Sequence, residues 1–180
     1  MTVQLLGMKH TGKSSLGKKL AQVRRLPFRD RDQLLENLPE AQGRSARDVF
    51  RAGGKELFQR LEALAAAGAV QEMRRAPLVL AWGGGTIDNP PAVKHLASIG
   101  VLIHLKEKPE LLFERILKGG LPAFLSPVHP WEDFQVLYRE RTLRMREVCT
   151  LELELNGVDL DTAFRRLSES LESLDRPTGE

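Results

Sequence analysis

The chain has 180 residues, 42% apolar and 28% charged, a composition suited to one globular domain with a real core. A net charge of +3 is too small to argue for nucleic acid, and no apolar run approaches bilayer-spanning length, so neither partner is expected. Cys149 is the only cysteine, which excludes an intrachain disulfide and gives no sign of an oxidising compartment. The first strand begins at residue 2 and leaves no room for a signal peptide, so the expectation is a cytoplasmic protein.

In chain order, Thr2 to Leu6 is a short apolar strand, and Ser14 to Arg24 has helical character. Between them Gly7 to Ser14 reads G-M-K-H-T-G-K-S and fits G-x-x-x-x-G-K-[ST], the loop that wraps nucleotide phosphates. A strand turning sharply into a helix aims backbone N–H groups and the positive end of the helix dipole at one point, where phosphate oxygens belong. The candidate cradle is therefore Gly7, Met8, Lys9, His10, Thr11, Gly12, Lys13, Ser14 and Ser15. In this motif Lys13 reaches the β- and γ-phosphates and the Ser14 hydroxyl takes a place on Mg²⁺.

Pro27–Phe28 is the next strand-like run, followed by Phe28-Arg29-Asp30-Arg31-Asp32. Two readings of the aspartates stand together. One of them caps the helix from Gln33, Asp30 with Gln33 resembling a capping box. Alternatively, both carboxylates face the phosphate loop, one holding Mg²⁺ through water and the other accepting a hydroxyl proton. Asn37 to Ala46 is polar and irregular, with Pro39 and Gly43. Helical patterns follow over Ser45 to Phe50, with Ser45 as N-cap, and over Lys55 to Ala69.

Leu78 to Trp82 is a strand, and Gly83-Gly84-Gly85 at its end lets the main chain approach a ligand closely. A helix opens at Pro90/Pro91 and ends near Gly100, with Val101–Leu105 as the next strand. Pro109 opens a helix to Lys118. Gly119 to Pro130, rich in Gly and Pro, then reads as a lid. Helices at Trp131–Val148 and Asp159–Leu174 flank a strand at Leu151–Leu155, and Asp175–Glu180 is a polar, frayed tail. Alternating strands and helices imply an α/β fold: a three-layer sandwich whose five-stranded parallel sheet is flanked by helices, with ligands at the strands' carboxyl ends. One domain spans 1–180, with a substrate-binding segment at about 31–62 and the lid at about 119–130.

Taken together, these pieces resemble the shikimate kinases, P-loop proteins of the nucleoside-monophosphate-kinase-like group. The resemblance runs through the phosphate loop, the F-x-D-x-D at Phe28–Asp32, the segment Gly43–Phe50, the Gly54…Phe58…Glu62 helix and the triple glycine. A Leu-Leu-Phe-Glu-Arg helix before the lid and Arg141 beyond it complete the set. The resemblance implies ATP and Mg²⁺ as cofactors. It implies Lys13 on the phosphates, Ser14 and Asp30 (through water) at the metal, and Asp32 on the acceptor hydroxyls. It also implies Gly83, Gly84 and Gly85 as a backbone wall, Arg141 as a clamp on the substrate carboxylate, and Arg115 packed on adenine. An exposed helix arginine is the other reading of Arg115.

The chain departs from the family pattern at three positions. The family has a carboxylate-binding arginine where this chain has Gln59, although the glutamate that orients it is kept as Glu62. The lid's Arg-Pro is here Leu121-Pro122, and His10 stands where glycine is usual. Gln59 keeps neutral hydrogen-bonding capacity toward substrate, and Lys118, Arg51 or Lys55 are candidates to replace the lost charge.

The expected activity is therefore ATP-dependent phosphoryl transfer to a hydroxyl, with shikimate the leading acceptor. The alternatives are another polyol or hydroxy acid, or a nucleotide-binding module with little catalysis. His95 and His104 lack metal-ligand spacing and read as ordinary helix and strand residues. Cys149 reads as a small buried apolar residue, Trp82 as core, and Trp131 as an anchor for the lid.

Overall fold

The computed structural model describes residues 1–122 and 125–175. Its centre is a sheet of β1 (Val3–Leu6), β2 (Phe28–Asp30), β3 (Val79–Ala81), β4 (Val101–Lys106) and β5 (Leu151–Glu154). The strands run parallel in the order β2-β3-β1-β4-β5, so β1, which carries the phosphate loop, lies at the centre. The helices are α1 (Lys13–Arg24), α2 (Arg31–Glu36), α3 (Ala46–Arg75), α4 (Pro90–Leu96), α5 (Pro109–Leu117), α6 (Pro130–Val148) and α7 (Leu160–Asp175). The expected α/β sandwich is the fold observed.

Strand periodicity sends alternate side chains to opposite faces, and each face has its own core. Val3, Leu5, Val79 and Ile103 pack with α1 and α7, while Leu6, Leu80 and Leu102 pack with α3, α4 and Met145 of α6. Gln4 is fully buried within β1, yet its amide is satisfied. It donates to the carbonyls of Leu96 at 2.8 Å and Ile99 at 2.5 Å, and accepts from Trp82 Nε1 at 2.7 Å. Trp82 is thus held at the end of β3 by its polar tip as well as by packing.

Several boundaries differ from the sequence expectation. The second strand begins one residue later and runs to Asp30, because its ladder to β3 pairs Asp30 with Ala81. The two helical patterns expected at 45–50 and 55–69 join as α3, bent at Gly54. Its φ of 65° and ψ of −162° are open to glycine and strained for other residues, so the break falls inside Gly53-Gly54. The helix continues beyond Ala69 because Val70 and Met73 carry the buried stripe for another turn. Ser45 caps α3, accepting from Asp48 N at 3.1 Å.

Part of the expected lid, residues 123 and 124, and the tail beyond Asp175 lie outside the described residues. At the far end of the segment expected as a lid, Trp131 packs on Phe113 with ring centroids 5.1 Å apart, and Ser126 N donates to Asp133 at 2.8 Å. The carboxyl-terminal end of this segment is therefore tied to both α5 and α6.

Candidate functional site

The phosphate loop leaves β1 and turns into α1 with backbone suited to holding an anion. His10 and Gly12 have φ of 67° and 85°. Helix α1 begins with no side-chain hydrogen bond to its first turn, so its leading amides stay available. A left-handed φ at His10 explains why glycine suits that position, and a histidine there carries a modest strain. Burial, then Lys9, Lys13 and Arg115, push the His10 imidazole below its ordinary value, leaving it neutral near pH 7.

Lys13 folds back over the loop, its Nζ donating to Met8 O at 2.7 Å. Burial pushes its ammonium down to about 8, against the pull of Asp30 and Asp32. Across the cleft, Asp30 caps α2, which starts at Arg31 rather than at Gln33, and also faces the phosphate loop. One carboxylate oxygen caps α2 by accepting from Asp32 N at 3.0 Å, and the other accepts from Ser14 Oγ at 2.7 Å. Lys13, Ser14, Asp30, Asp32, Gly83 and Gly84 line one cleft at the carboxyl end of the sheet, with Lys9, His10, Gly12, Ser15 and Trp82.

The glycines after β3 leave room for three different groups. A Cβ on Gly84 would lie 2.8 Å from Lys9 N, inside the phosphate loop. One on Gly83 would lie 1.6 Å from Arg31 Nη2, and one on Gly85 would lie 3.3 Å from Arg141 Nη2. Gly83 and Gly84 therefore admit a guanidinium and a loop amide where any side chain would exclude them, while Gly85 is only tightly packed.

The acceptor side differs from what the resemblance alone implies. Arg141 grips Asp88 through Nε at 2.9 Å and Nη2 at 2.6 Å, and Arg144 holds the other oxygen of Asp88 at 3.0 Å. The Gln59 amide donates to Asp88 O at 3.0 Å rather than standing free. Glu62 is fully buried, accepting from Thr86 Oγ1 at 2.7 Å and Asn89 Nδ2 at 2.8 Å. Arg115 donates to His10 O at 3.0 Å and lies 3.3 Å from Glu107, so it braces the phosphate loop.

The suggested replacements for the lost arginines stay outside. Lys118 and Lys55 are exposed, and exposed Arg51 lies 3.8 Å from Asp48 on its own helix. Arg31, to which the sequence assigned no role, is 6% exposed and lies between Glu62 and Asp32. Its Nε is 3.2 Å from Glu62, its Nη1 is 3.0 Å from Asp32, and its guanidinium lies 5.3 Å from the Phe58 ring centroid. The available signal was an extra arginine inside F-x-D-x-D in a chain that lacks one at position 59.

Among the described residues no group of three or more His, Cys, Asp or Glu could cage a metal ion. One hydroxyl and one carboxylate, Ser14 and Asp30, do suit Mg²⁺, which keeps several waters and takes the rest of its shell from phosphates. The uncapped start of α1 and buried Lys13 likewise suit a polyphosphate. No helix among the described residues is long and apolar enough to cross a membrane.

Fold and cleft together define a phosphotransferase of the P-loop type. A family profile described as shikimate kinase matches residues 9–172. The shikimate kinase of Syntrophus aciditrophicus is 37% identical over 177 residues, covering 96% of this chain and 88% of that one. That of Chlamydia pneumoniae is 31% identical over 160 residues, covering 88% and 89%. Among solved structures, a shikimate kinase from Acinetobacter baumannii in complex with shikimate superposes with a TM-score of 0.85 at 24% identity, covering 98% of this chain and 95% of that one. The chain belongs to the shikimate kinase family, whose members are ATP-dependent phosphotransferases.

Proposed function

We propose that this protein transfers the terminal phosphoryl group of ATP, with Mg²⁺, to a hydroxyl of shikimate. The observation that carries the reading is the convergence of Lys13, the Ser14–Asp30 pair and Asp32 on one cleft at the sheet's carboxyl end. Phosphoryl transfer asks mainly for positioning and charge stabilisation, and these residues supply both. Backbone amides from Gly7 to Ser15 hold the polyphosphate, and Lys13 swings from Met8 O to the β- and γ-phosphates. Ser14 and Asp30 would hold Mg²⁺, which when bound would neutralise charge on those phosphates. Asp32 orients the acceptor hydroxyl and takes its proton. Gly83, Gly84 and Gly85 form the wall behind the acceptor, Arg141 and Gln59 border it, and Arg115 steadies the loop near the base. The segment 31–62 closes on the acceptor and 119–130 closes over the phosphates to exclude water. The protein works as a cytoplasmic monomer of one domain.

A second reading keeps the chemistry and changes the acceptor to another polyol or hydroxy acid. It is favoured by Arg141 and Gln59 both being engaged with Asp88. An ADP-release assay across a panel of hydroxy compounds separates the two. Turnover on shikimate supports the first reading, turnover only on other acceptors supports the second, and nucleotide binding without turnover on any acceptor rejects both.

A further inference from the structure

We infer that Arg31 is the specificity-determining residue that receives the carboxylate of the acceptor, an inference that rests on the proposed activity. A guanidinium carries five N–H donors in a fixed plane, and burying it without hydrogen-bonded partners is costly. Arg31 is 6% exposed, and its Nε and Nη1 have no hydrogen-bond partner among the described residues. The carboxylates of Glu62 and Asp32 lie within 3.2 Å and 3.0 Å of these two nitrogens, but off the directions in which their hydrogens point. Both oxygens of Glu62 already accept from other donors, Thr86 and Asn89. Glu62 therefore balances charge while Nε and Nη1 keep hydrogens without acceptors, and Nη2, which shares one edge of the guanidinium with each of them, lies beside Gly83.

Two residues that line the cleft, Gly83 and Asp32, flank this guanidinium. The Phe58 ring centroid lies 5.3 Å from the guanidinium, and Asp32 lies 3.0 Å from Nη1. Gly83 has no Cβ to intervene, since one would fall 1.6 Å from Nη2. A planar fork held beside a glycine wall, with a carboxylate 3.0 Å to one side, suits an oxyanion in the guanidinium plane. The acceptor it selects carries both an acid and an alcohol, the acid on Arg31 and the hydroxyl on neighbouring Asp32. A polyol without a carboxylate leaves the fork unpaired and is rejected.

The test is calorimetric binding of shikimate and of its methyl ester to the Mg·ADP complex of wild type, Arg31→Gln and Arg31→Lys. Loss of one bidentate charge-assisted contact corresponds to roughly a 10- to 100-fold weakening. Arg31→Gln is expected to weaken shikimate by about that factor, with the ester bound equally by variant and wild type and Mg·ADP affinity within about twofold. Arg31→Lys keeps the charge and loses the fork, so it protects a variant set against misfolding and should fall between the two. Equal shikimate affinity in wild type and Arg31→Lys overturns the inference, as does an equal loss for acid and ester in Arg31→Gln. Wild type that binds Mg·ADP but neither binds nor phosphorylates shikimate removes the proposed activity and the inference together. Wild type that phosphorylates shikimate while the variants match it removes the inference alone.

Discussion

Ser14 Oγ donates to Asp30 Oδ2 across 2.7 Å, joining the start of α1 to the end of β2. The same carboxylate caps α2, so charge and cap at this position are separable. Asn serves as an N-cap about as well as Asp. Asp30→Asn should therefore leave thermal stability within about 0.5 kcal/mol while raising the Mg²⁺ concentration needed for half-maximal rate at least about tenfold. Asp30→Ala should lose the same activity and a further ~0.5–2 kcal/mol of stability. Initial rates against Mg²⁺ and thermal unfolding of both variants check the separation.

Lys13 supplies the pH dependence. Burial holds its ammonium at about 8 in the unliganded protein, while a bound polyphosphate favours the charged form. Nucleotide binding should thus be strongest below pH 8 and weaken as pH rises above it, by up to about tenfold per unit. At pH 8 binding should draw up roughly half a proton, readable from ADP calorimetry in buffers of different ionisation heat. The sign for folding is opposite. Between about 8 and the unfolded value near 10.4 the folded chain holds fewer protons, so this group's contribution to stability rises with pH. Lys13→Met should abolish the proton uptake and weaken nucleotide binding about 10- to 100-fold.

Gly83→Ala and Gly84→Ala should fail differently. A methyl at 83 meets the Arg31 guanidinium, and one at 84 meets backbone of the phosphate loop. Overpacking of this kind costs roughly 1–3 kcal/mol. Gly83→Ala is expected to raise the KM for shikimate with that for ATP nearly unchanged, whereas Gly84→Ala should raise the KM for ATP.

The pairing of Asp88 with Arg141 and Arg144 predicts that Asp88→Asn frees Arg141 and tightens shikimate several-fold, since a charge-assisted bond is exchanged for a weaker one. Gln59→Arg has a conditional outcome. Arg31 already lies 3.2 Å from Glu62, so a second guanidinium one turn away should do little in wild type. In Arg31→Gln the same change should recover most of the lost affinity. Steady-state kinetics on the two single variants and the double variant measure the coupling.

The fold was legible because parallel strands buried on both faces read as apolar runs, and each run at Val3, Val79 and Val101 proved to be a strand. The phosphate loop was legible because its glycines and Lys13 act through local backbone. Arg31 was hidden for the opposite reason. Its partners Phe58, Glu62 and Gly83 lie 27 to 52 positions away, and its orphaned nitrogens exist only once those segments meet. The embrace of Asp88 by two arginines from α6 was hidden in the same way, since nothing local marks Thr86–Asp88 as a 3₁₀ turn pointing at that helix. The break between the helical patterns at 45–50 and 55–69 was legible, since Gly54 leaves helical geometry there, with φ of 65° and ψ of −162°.

Incubation of the purified protein with Mg·ATP and shikimate, followed by ³¹P NMR, tests the central claim most directly. A new phosphate monoester resonance should grow as ADP appears, and both should vanish in Asp32→Asn. ADP appearing with inorganic phosphate alone, or a monoester formed equally well by Asp32→Asn, would contradict a hydroxyl-directed transfer governed by that carboxylate.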